Sequence, residues 1–167
     1  MKTSQSVPDL IAAAQANAKI SEDQILKHTQ GQDDSDAQAQ DLNAAIVALE
    51  LAAVDAFTLF EARMQHHFKR GPFSRKLRAL LLSARRTDLA DRIHTYYLAI
   101  NVLKHGTGAS YRELLDAPTD LFRVKPAESI ISGGEHPPLG LIDVSAPGFF
   151  DGLATTLLEA HQFLENK

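Results

Sequence analysis

The chain of 167 residues contains no cysteine and no tryptophan. The absence of cysteine excludes a disulfide scaffold and any metal site that uses thiolate ligands. We find no run approaching the ~20 apolar residues of a membrane span, and no apolar segment behind the N-terminus that indicates a signal peptide. These absences lead us to expect a cytoplasmic protein without a membrane partner.

The charge is unevenly distributed along a sequence of otherwise ordinary globular composition. The net charge is −4, and apolar residues make up 44% of the chain. Residues 61–92 nonetheless hold nine basic residues against three acidic ones. One interpretation is a face that attracts a polyanion such as RNA, and the other is a solvated helical surface. Composition leaves both interpretations open.

Apolar periodicity and turn residues predict a mainly α protein, an antiparallel helical bundle. The polar loop at residues 31–36 is the clearest internal boundary. We therefore predict an N-terminal helical extension at 1–34 and one bundle domain at 35–167. The predicted main helices are one or two over 8–29, a long apolar helix over 35–68, a basic helix capped by Ser74, and a third main helix from Thr87 or Asp88 to His105.

The pattern changes after the third main helix. Residues 111–116 predict a short helical piece, and residues 122–125 and 139–144 resemble two short strands. A two-stranded β-ribbon is marginally stable alone, so we expect it to lean on the helices. A final amphipathic helix is predicted over 149–165. The ribbon thus comes before the last helix of the bundle.

The third main helix ends in the sequence Asn-x-x-Lys-His-Gly, formed by Asn101, Lys104, His105 and Gly106. Asn101 and His105 lie one helical turn apart and therefore share a face. Histidine titrates near neutral pH, so His105 can act as a general acid or base that Asn101 orients. The alternative is that His105 only interacts with the free carbonyl groups at the helix end.

Three features together resemble the HEPN superfamily over roughly residues 38–165. They are a long apolar helix ending in Leu59-Phe60-Glu61, a basic second helix, and the Asn-x-x-Lys-His-Gly end of the third. The resemblance implies an all-helical bundle that forms a homodimer. Many members are ribonucleases of toxin–antitoxin, abortive-infection and CRISPR systems, and others are inactive binding modules. RNA and an antitoxin-like protein are the partners that it implies.

The arginine of the family's catalytic pattern is missing. That pattern places an arginine before the histidine with four to six residues between them, and here those positions hold Leu98, Ala99 and Ile100. None replaces a guanidinium that stabilises phosphate charge. We therefore expect a non-catalytic dimerising module that binds RNA or a partner protein in a defence or RNA-linked system. The alternative is an active metal-independent endoribonuclease, in which His105 is the acid or base, and Lys104 or an arginine of a second copy binds phosphate.

Candidate binding residues extend the motif along the same helix and across to its neighbours. His94 and Tyr97 lie on the same polar stripe as Asn101 and His105. Glu61 is expected either to hydrogen-bond to Asn101 or His105, or to pair with Arg63 or Gln65 or be solvated. The candidate binding residues are His94, Tyr97, Glu61, Arg63, Arg85 and Arg86.

A metal-dependent bundle enzyme is the third candidate function. Neither His-Glu-x-x-His nor Glu-x-x-His is present. The consecutive His66 and His67 diverge by about 100° on an α-helix. We therefore expect no metal and no other cofactor. The residues that could otherwise supply ligands to a metal in a helical bundle are His66, His67, His94, His105, His161, Glu50 and Glu61.

Overall fold

The computed structural model describes residues 5–30, 36–126, 140–146 and 148–167. This part of the chain confirms the prediction of a mainly α protein. A short 3₁₀ turn, Gln65–His67, follows the second of its helices. The six α-helices are α1 (Val7–Gln30), α2 (Asp36–Met64), α3 (Phe73–Ser83), α4 (Thr87–His105), α5 (Ala109–Asp116) and α6 (Phe149–Glu165).

Helix α4 lies at the centre of the fold and contacts α2, α3, α5 and α6. Its buried residues cover several sides of the helix, from Leu89 to Val102. The sequence, in which α2 is apolar over much of its girth, predicts that α2 takes this central place. Instead α2 buries one stripe and leaves Leu51 56% and Leu59 44% exposed.

Two aromatic groups tie the helices together. Phe60 of α2 packs edge-on against Phe73 at the start of α3, with ring centroids 5.6 Å apart. Tyr96 of α4 contacts Phe122 at 5.6 Å and Phe149 of α6 at 5.9 Å. The second group joins α4 to α6 through the segment that follows α5.

Helix α1 packs against α2 and α6. Val7, Ile11, Ala18 and Ile25 are its buried apolar residues. Near its middle, Gln15 Nε2 donates a hydrogen bond of 3.2 Å to Asp151 Oδ1 of α6. The docking of the N-terminal helix on the bundle is thus observed, while its separation at 1–34 stays a prediction.

The predicted β-ribbon is reduced to one antiparallel bridge between Val124 and Ile142, and the described residues contain no strand. Lys125 N donates to Leu141 O at 2.8 Å, and Asp143 N donates to Arg123 O at 3.0 Å. Residue 139, where the second predicted strand begins, lies outside the described residues. One bridged pair gives too few hydrogen bonds for an independent ribbon.

Helix α2 together with the 3₁₀ turn, residues Ala37–His67, is long and apolar enough by length and composition to cross a membrane. The sequence had led us to expect no such segment. Core helices of soluble proteins also meet this criterion, and Leu49, Ala53 and Phe57 of α2 are buried. The cytoplasmic location stays a prediction.

Ser74 does not cap α3, in contrast to the prediction. The helix begins at Phe73, and the extended Pro72 occupies the N-cap position. Proline lacks an N–H and fits a helix start well. Ser74 therefore lies in the first turn, where its hydroxyl is available to a neighbouring group.

Candidate functional site

A cleft of about 280 Å³ lies between α3 and α4. Helix α3 contributes Ser74, Arg75 and Arg78, which fall within a little more than one helical turn. Helix α4 contributes His94 and Tyr97, one turn apart on the polar stripe predicted from the sequence. The cleft therefore combines two guanidinium groups, a hydroxyl, an imidazole and a phenol.

Two polar atoms at this cleft are buried without a hydrogen-bond partner among the described residues, Ser74 Oγ and Arg78 Nε. A buried donor left unpaired costs about 1–3 kcal/mol. Neither Arg75 nor Arg78 forms an ion pair in the described part of the chain. An anion with several oxygen atoms in the cleft would accept hydrogen bonds from the guanidinium groups of Arg75 and Arg78 and balance their charge.

The imidazole of His94 is held from two sides. Its Nε2 lies 2.6 Å from Glu113 Oε2 of α5, and a carboxylate at that position accepts the Nε2 proton. The ring stacks near Tyr97 with centroids 6.3 Å apart and planes 30° apart. Tyr97 in turn contacts Phe57 of α2 at 6.3 Å. The aromatic wall of the cleft is thus anchored to the core.

Arg92, two residues before His94 on α4, forms its ion pairs within the fold. Its guanidinium binds Asp88 at 2.9 Å and Glu159 of α6 at 2.5 Å. It also donates to Thr156 Oγ1 at 3.2 Å. Arg92 therefore connects α4 to α6 with its charge balanced, unlike the guanidinium groups of the cleft.

The residues of the Asn-x-x-Lys-His-Gly motif do not form a cluster. Asn101 Nδ2 donates to Ser110 Oγ of α5 at 3.2 Å, so its amide does not orient the imidazole. His105 is exposed, and no hydrogen bond or ion pair joins it to another described residue. Lys104 lies near Glu61, whose expected bond to Asn101 or His105 is not seen.

The motif end and the cleft are separate regions of α4. His94 and His105 are eleven residues apart, which corresponds to roughly 16 Å along a helix. Of the candidate binding residues, only His94 and Tyr97 lie in the cleft. Arg86 packs over the Phe163 ring of α6 at 5.9 Å. Arg85 occupies the α3–α4 turn with a φ of 62°, and Arg63 is exposed near the end of α2.

Sequence reasoning missed three residues of the cleft, Ser74, Arg75 and Arg78. Their signal was the spacing Ser-Arg-x-x-Arg at the start of a basic helix that follows Gly71-Pro72. That spacing places the three side chains close together on one helix. It does not show which helix faces them, so the pairing with His94 required the fold.

A larger groove of about 650 Å³ lies between α1 and α2. Its walls combine three alanines with scattered polar residues, among them Lys27, His28 and Asp41. Buried polar atoms without a partner are found among the described residues only at the smaller cleft. We therefore place the candidate site between α3 and α4.

Comparisons with known proteins identify no relative. No family model, no curated protein and no solved structure matches the chain. The resemblance to the HEPN superfamily thus depends on the order of the helices and on the motif at the end of α4.

Two partly buried carboxyl groups on α2, those of Glu50 and Glu61, have raised pKa values. Burial raises the pKa of Glu50 to about 7, although the backbone N–H of Gly140 donates a hydrogen bond that opposes the rise. Burial also raises the pKa of Glu61, and the ammonium of Lys104 opposes it. Glu50 therefore gains or loses its proton near neutral pH.

The Glu50 pKa predicts a pH dependence of stability. Its folded value, about 7, exceeds the ordinary 4.5, so its favourable contribution is complete below pH 4.5 and is lost as pH rises through 7. For a partly solvated carboxyl we expect about 1–2 kcal/mol. Glu50→Gln should remove this loss between pH 5 and 8 in urea titrations. The exposed Asp55 of the same helix provides the control Asp55→Asn, and equal slopes in wild type and Glu50→Gln would contradict the prediction.

Proposed function

We propose that the protein binds single-stranded RNA through the cleft between α3 and α4, without cleaving it. The observation that carries this proposal is the pair of cleft-lining guanidinium groups, Arg75 and Arg78, which form no ion pair in the described part of the chain and lie beside a stacked His94–Tyr97 wall. Cationic donors next to an aromatic surface are the combination that single-stranded nucleic acid requires.

Each side of the cleft has its own role. Arg75 and Arg78 bind a backbone phosphate, because a guanidinium donates several hydrogen bonds to phosphate oxygens. The Ser74 hydroxyl and the first turn of α3 add donors and a favourable dipole. Tyr97 offers an aromatic surface for a base, and its contact with Phe57 fixes the ring. A cationic cleft of this kind favours RNA over an antitoxin-like protein as the direct ligand.

The same proposal includes the architecture and the oligomeric state. We propose that the chain is a divergent HEPN-like bundle that acts as a dimer. Leu51 and Leu59 are 56% and 44% exposed on α2, and a second copy is the partner that would cover them. A dimer would present two cationic clefts to one RNA strand and raise its apparent affinity.

A second candidate function, metal-independent RNA cleavage, is favoured by the bond of 2.6 Å between His94 and Glu113. In this version His94 replaces His105 as the general base, and Arg78 supplies the guanidinium missing from positions 98–100. The 2′-hydroxyl loses its proton to the imidazole, and its oxygen attacks phosphorus. The bond from phosphorus to the 5′-oxygen then breaks as that oxygen takes up a proton, which leaves a 2′,3′-cyclic phosphate.

Replacing Arg78 by alanine is expected to weaken RNA binding about tenfold. The loss should be similar for different RNA sequences, because a phosphate contact carries no sequence information. Fluorescence anisotropy with a labelled 12-nucleotide RNA at 50 and 200 mM salt measures both the affinity and its salt slope, which should fall by about one unit. Arg70→Ala is the matched control, since Arg70 is exposed in the α2–α3 connection.

Three outcomes of this experiment are decisive. Equal losses for the Arg78 and Arg70 variants would show general attraction to a basic surface and contradict the cleft. Absence of binding by the wild type at 50 mM salt would contradict the proposed function itself. Cleavage of the RNA in EDTA by the wild type, abolished by His94→Ala and retained by His105→Ala, would replace the binding proposal by the catalytic one.

A further inference from the structure

A cluster of metal-ligating side chains lies where the end of α2 meets the end of α6, away from the cleft. The imidazoles of His66 and His67 and the carboxylate of Glu165 place one ligand atom each within 4.8 Å of the others. His161 belongs to the same region, since its Nε2 lies 3.9 Å from Glu165 Oε1. Two elements distant in sequence, the 3₁₀ turn and α6, thus bring nitrogen and oxygen ligands together.

The two consecutive histidines lie in the 3₁₀ turn, and their rings are adjacent. Helix α2 ends at Met64, so the backbone at residues 65–67 no longer follows α-helical geometry. The His66 and His67 rings lie side by side with centroids 4.2 Å apart and planes 36° apart. The two rings thus lie together although successive side chains leave an α-helix about 100° apart and a 3₁₀ helix about 120° apart. That divergence was one reason to expect no metal.

One ligand is already oriented by the backbone. His66 Nδ1 lies 2.9 Å from the carbonyl oxygen of Arg63. A carbonyl oxygen only accepts, so Nδ1 carries the proton and Nε2 keeps its lone pair for a metal. Metal-bound histidines commonly donate their other ring N–H in this way, which fixes the tautomer and the ring.

One pair of ligand atoms, those of His67 and Glu165, already has the spacing that a tetrahedral ion requires. His67 Nε2 and Glu165 Oε1 are 3.4 Å apart, which is long for a hydrogen bond between charged groups. Two ligands that are each about 2.05 Å from a tetrahedral Zn²⁺ lie about 3.3 Å from one another. The side chains of His67 and His161 are 17% and 21% exposed, and that of Glu165 is 51% exposed.

We propose that His66, His67 and Glu165, with His161 as the fourth ligand, form a Zn²⁺ site. Imidazole nitrogens and a carboxylate without thiolates are a donor set that suits zinc. The ion would connect the end of α2 to the last turn of α6. Because the unfolded chain does not preform the site, binding would stabilise the fold. The site is independent of the RNA-binding cleft.

The test is zinc binding by the full chain without a histidine tag, after treatment with EDTA and dialysis. Isothermal titration with ZnCl₂ at pH 7.5 should give one ion per chain, and saturation should raise the melting temperature by about 5 °C. Co²⁺ in place of Zn²⁺ should give the visible absorption of a tetrahedral complex. His67→Ala and Glu165→Gln should each weaken the affinity at least tenfold. Circular dichroism of both variants is the check that they remain folded.

His28→Ala is the matched control, because His28 is a partly buried histidine of α1 outside the cluster. It should leave the stoichiometry, the affinity and the Co²⁺ spectrum unchanged. Zinc and protein at about 10 µM each are far above the dissociation constants of structural zinc sites. Absence of stoichiometric binding by the wild type at these concentrations would therefore overturn the proposal. So would equal affinities of the wild type, His67→Ala and Glu165→Gln.

Discussion

Replacing Phe149 by alanine is expected to lower the free energy of unfolding by about 3–5 kcal/mol. Phe149 is 1% exposed at the first turn of α6. Its ring lies 5.6 Å from Phe122 and 5.9 Å from Tyr96, so the substitution opens a cavity among three aromatic groups. Domains of this size are commonly stable by about 5–15 kcal/mol. The substitution should therefore remove a large fraction of the total stability.

Urea denaturation followed by far-UV circular dichroism measures this loss. Phe163→Ala is the matched control on the same helix, because Phe163 is only partly buried and packs at the edge of the core. The control should lose about 1 kcal/mol, in proportion to the smaller apolar area that it removes from water. Similar midpoints for the two variants would show that the Tyr96–Phe122–Phe149 group does not form the main connection to α6.

The close approach of α4 and α6 at Gly152 predicts a second large effect. A Cβ atom at Gly152 would overlap the hydroxyl oxygen of Tyr96 and lie 3.5 Å from its Cζ. Tyr96 is 1% exposed and cannot move away from its neighbours without disturbing the core. Gly152→Ala should therefore destabilise the fold by about 1–3 kcal/mol, although alanine normally favours a helix by about 1 kcal/mol.

The Tyr96→Phe variant tests this explanation, since it removes only the hydroxyl oxygen. In that background Gly152→Ala should be neutral or stabilising, because the remaining distance of 3.5 Å to Cζ is an ordinary contact. A double-mutant cycle from urea titrations of the four proteins should give a coupling energy of about 2 kcal/mol. A coupling near zero would show that Gly152 is required for another reason.

Helix positions were predicted well where local residues set them. The third main helix was expected to end at His105 before Gly106, and α4 ends there with Gly106 at a φ of 74°. The last helix was predicted over 149–165 and matches α6, which follows Gly148 at a φ of 93°. L side chains rarely adopt such backbone angles, so a glycine marks these boundaries in the sequence itself.

The failed predictions involve residues whose environment is not local. The apolar character of α2 predicted burial nearly all round, yet Leu51 is 56% exposed because only one stripe meets α1, α4 and α6. Alternation at 122–125 predicted a strand, but Val124 forms a single bridge. A strand requires hydrogen bonds from a second segment, and the alternation of apolar and polar residues does not show whether that segment is present.

The helical class, most of the helix boundaries and the polar stripe with His94 and Tyr97 follow from the amino-acid sequence, because periodicity and helix-terminating residues act over a few positions. What faces that stripe depends on the fold as a whole. The packing of the helices places Arg78 and His94 in one cleft and Glu165 beside His67. The Asn101 amide binds Ser110 rather than the His105 imidazole. Contacts between helices arise from the packing of whole faces, and that packing is a property of the complete core rather than of any short segment.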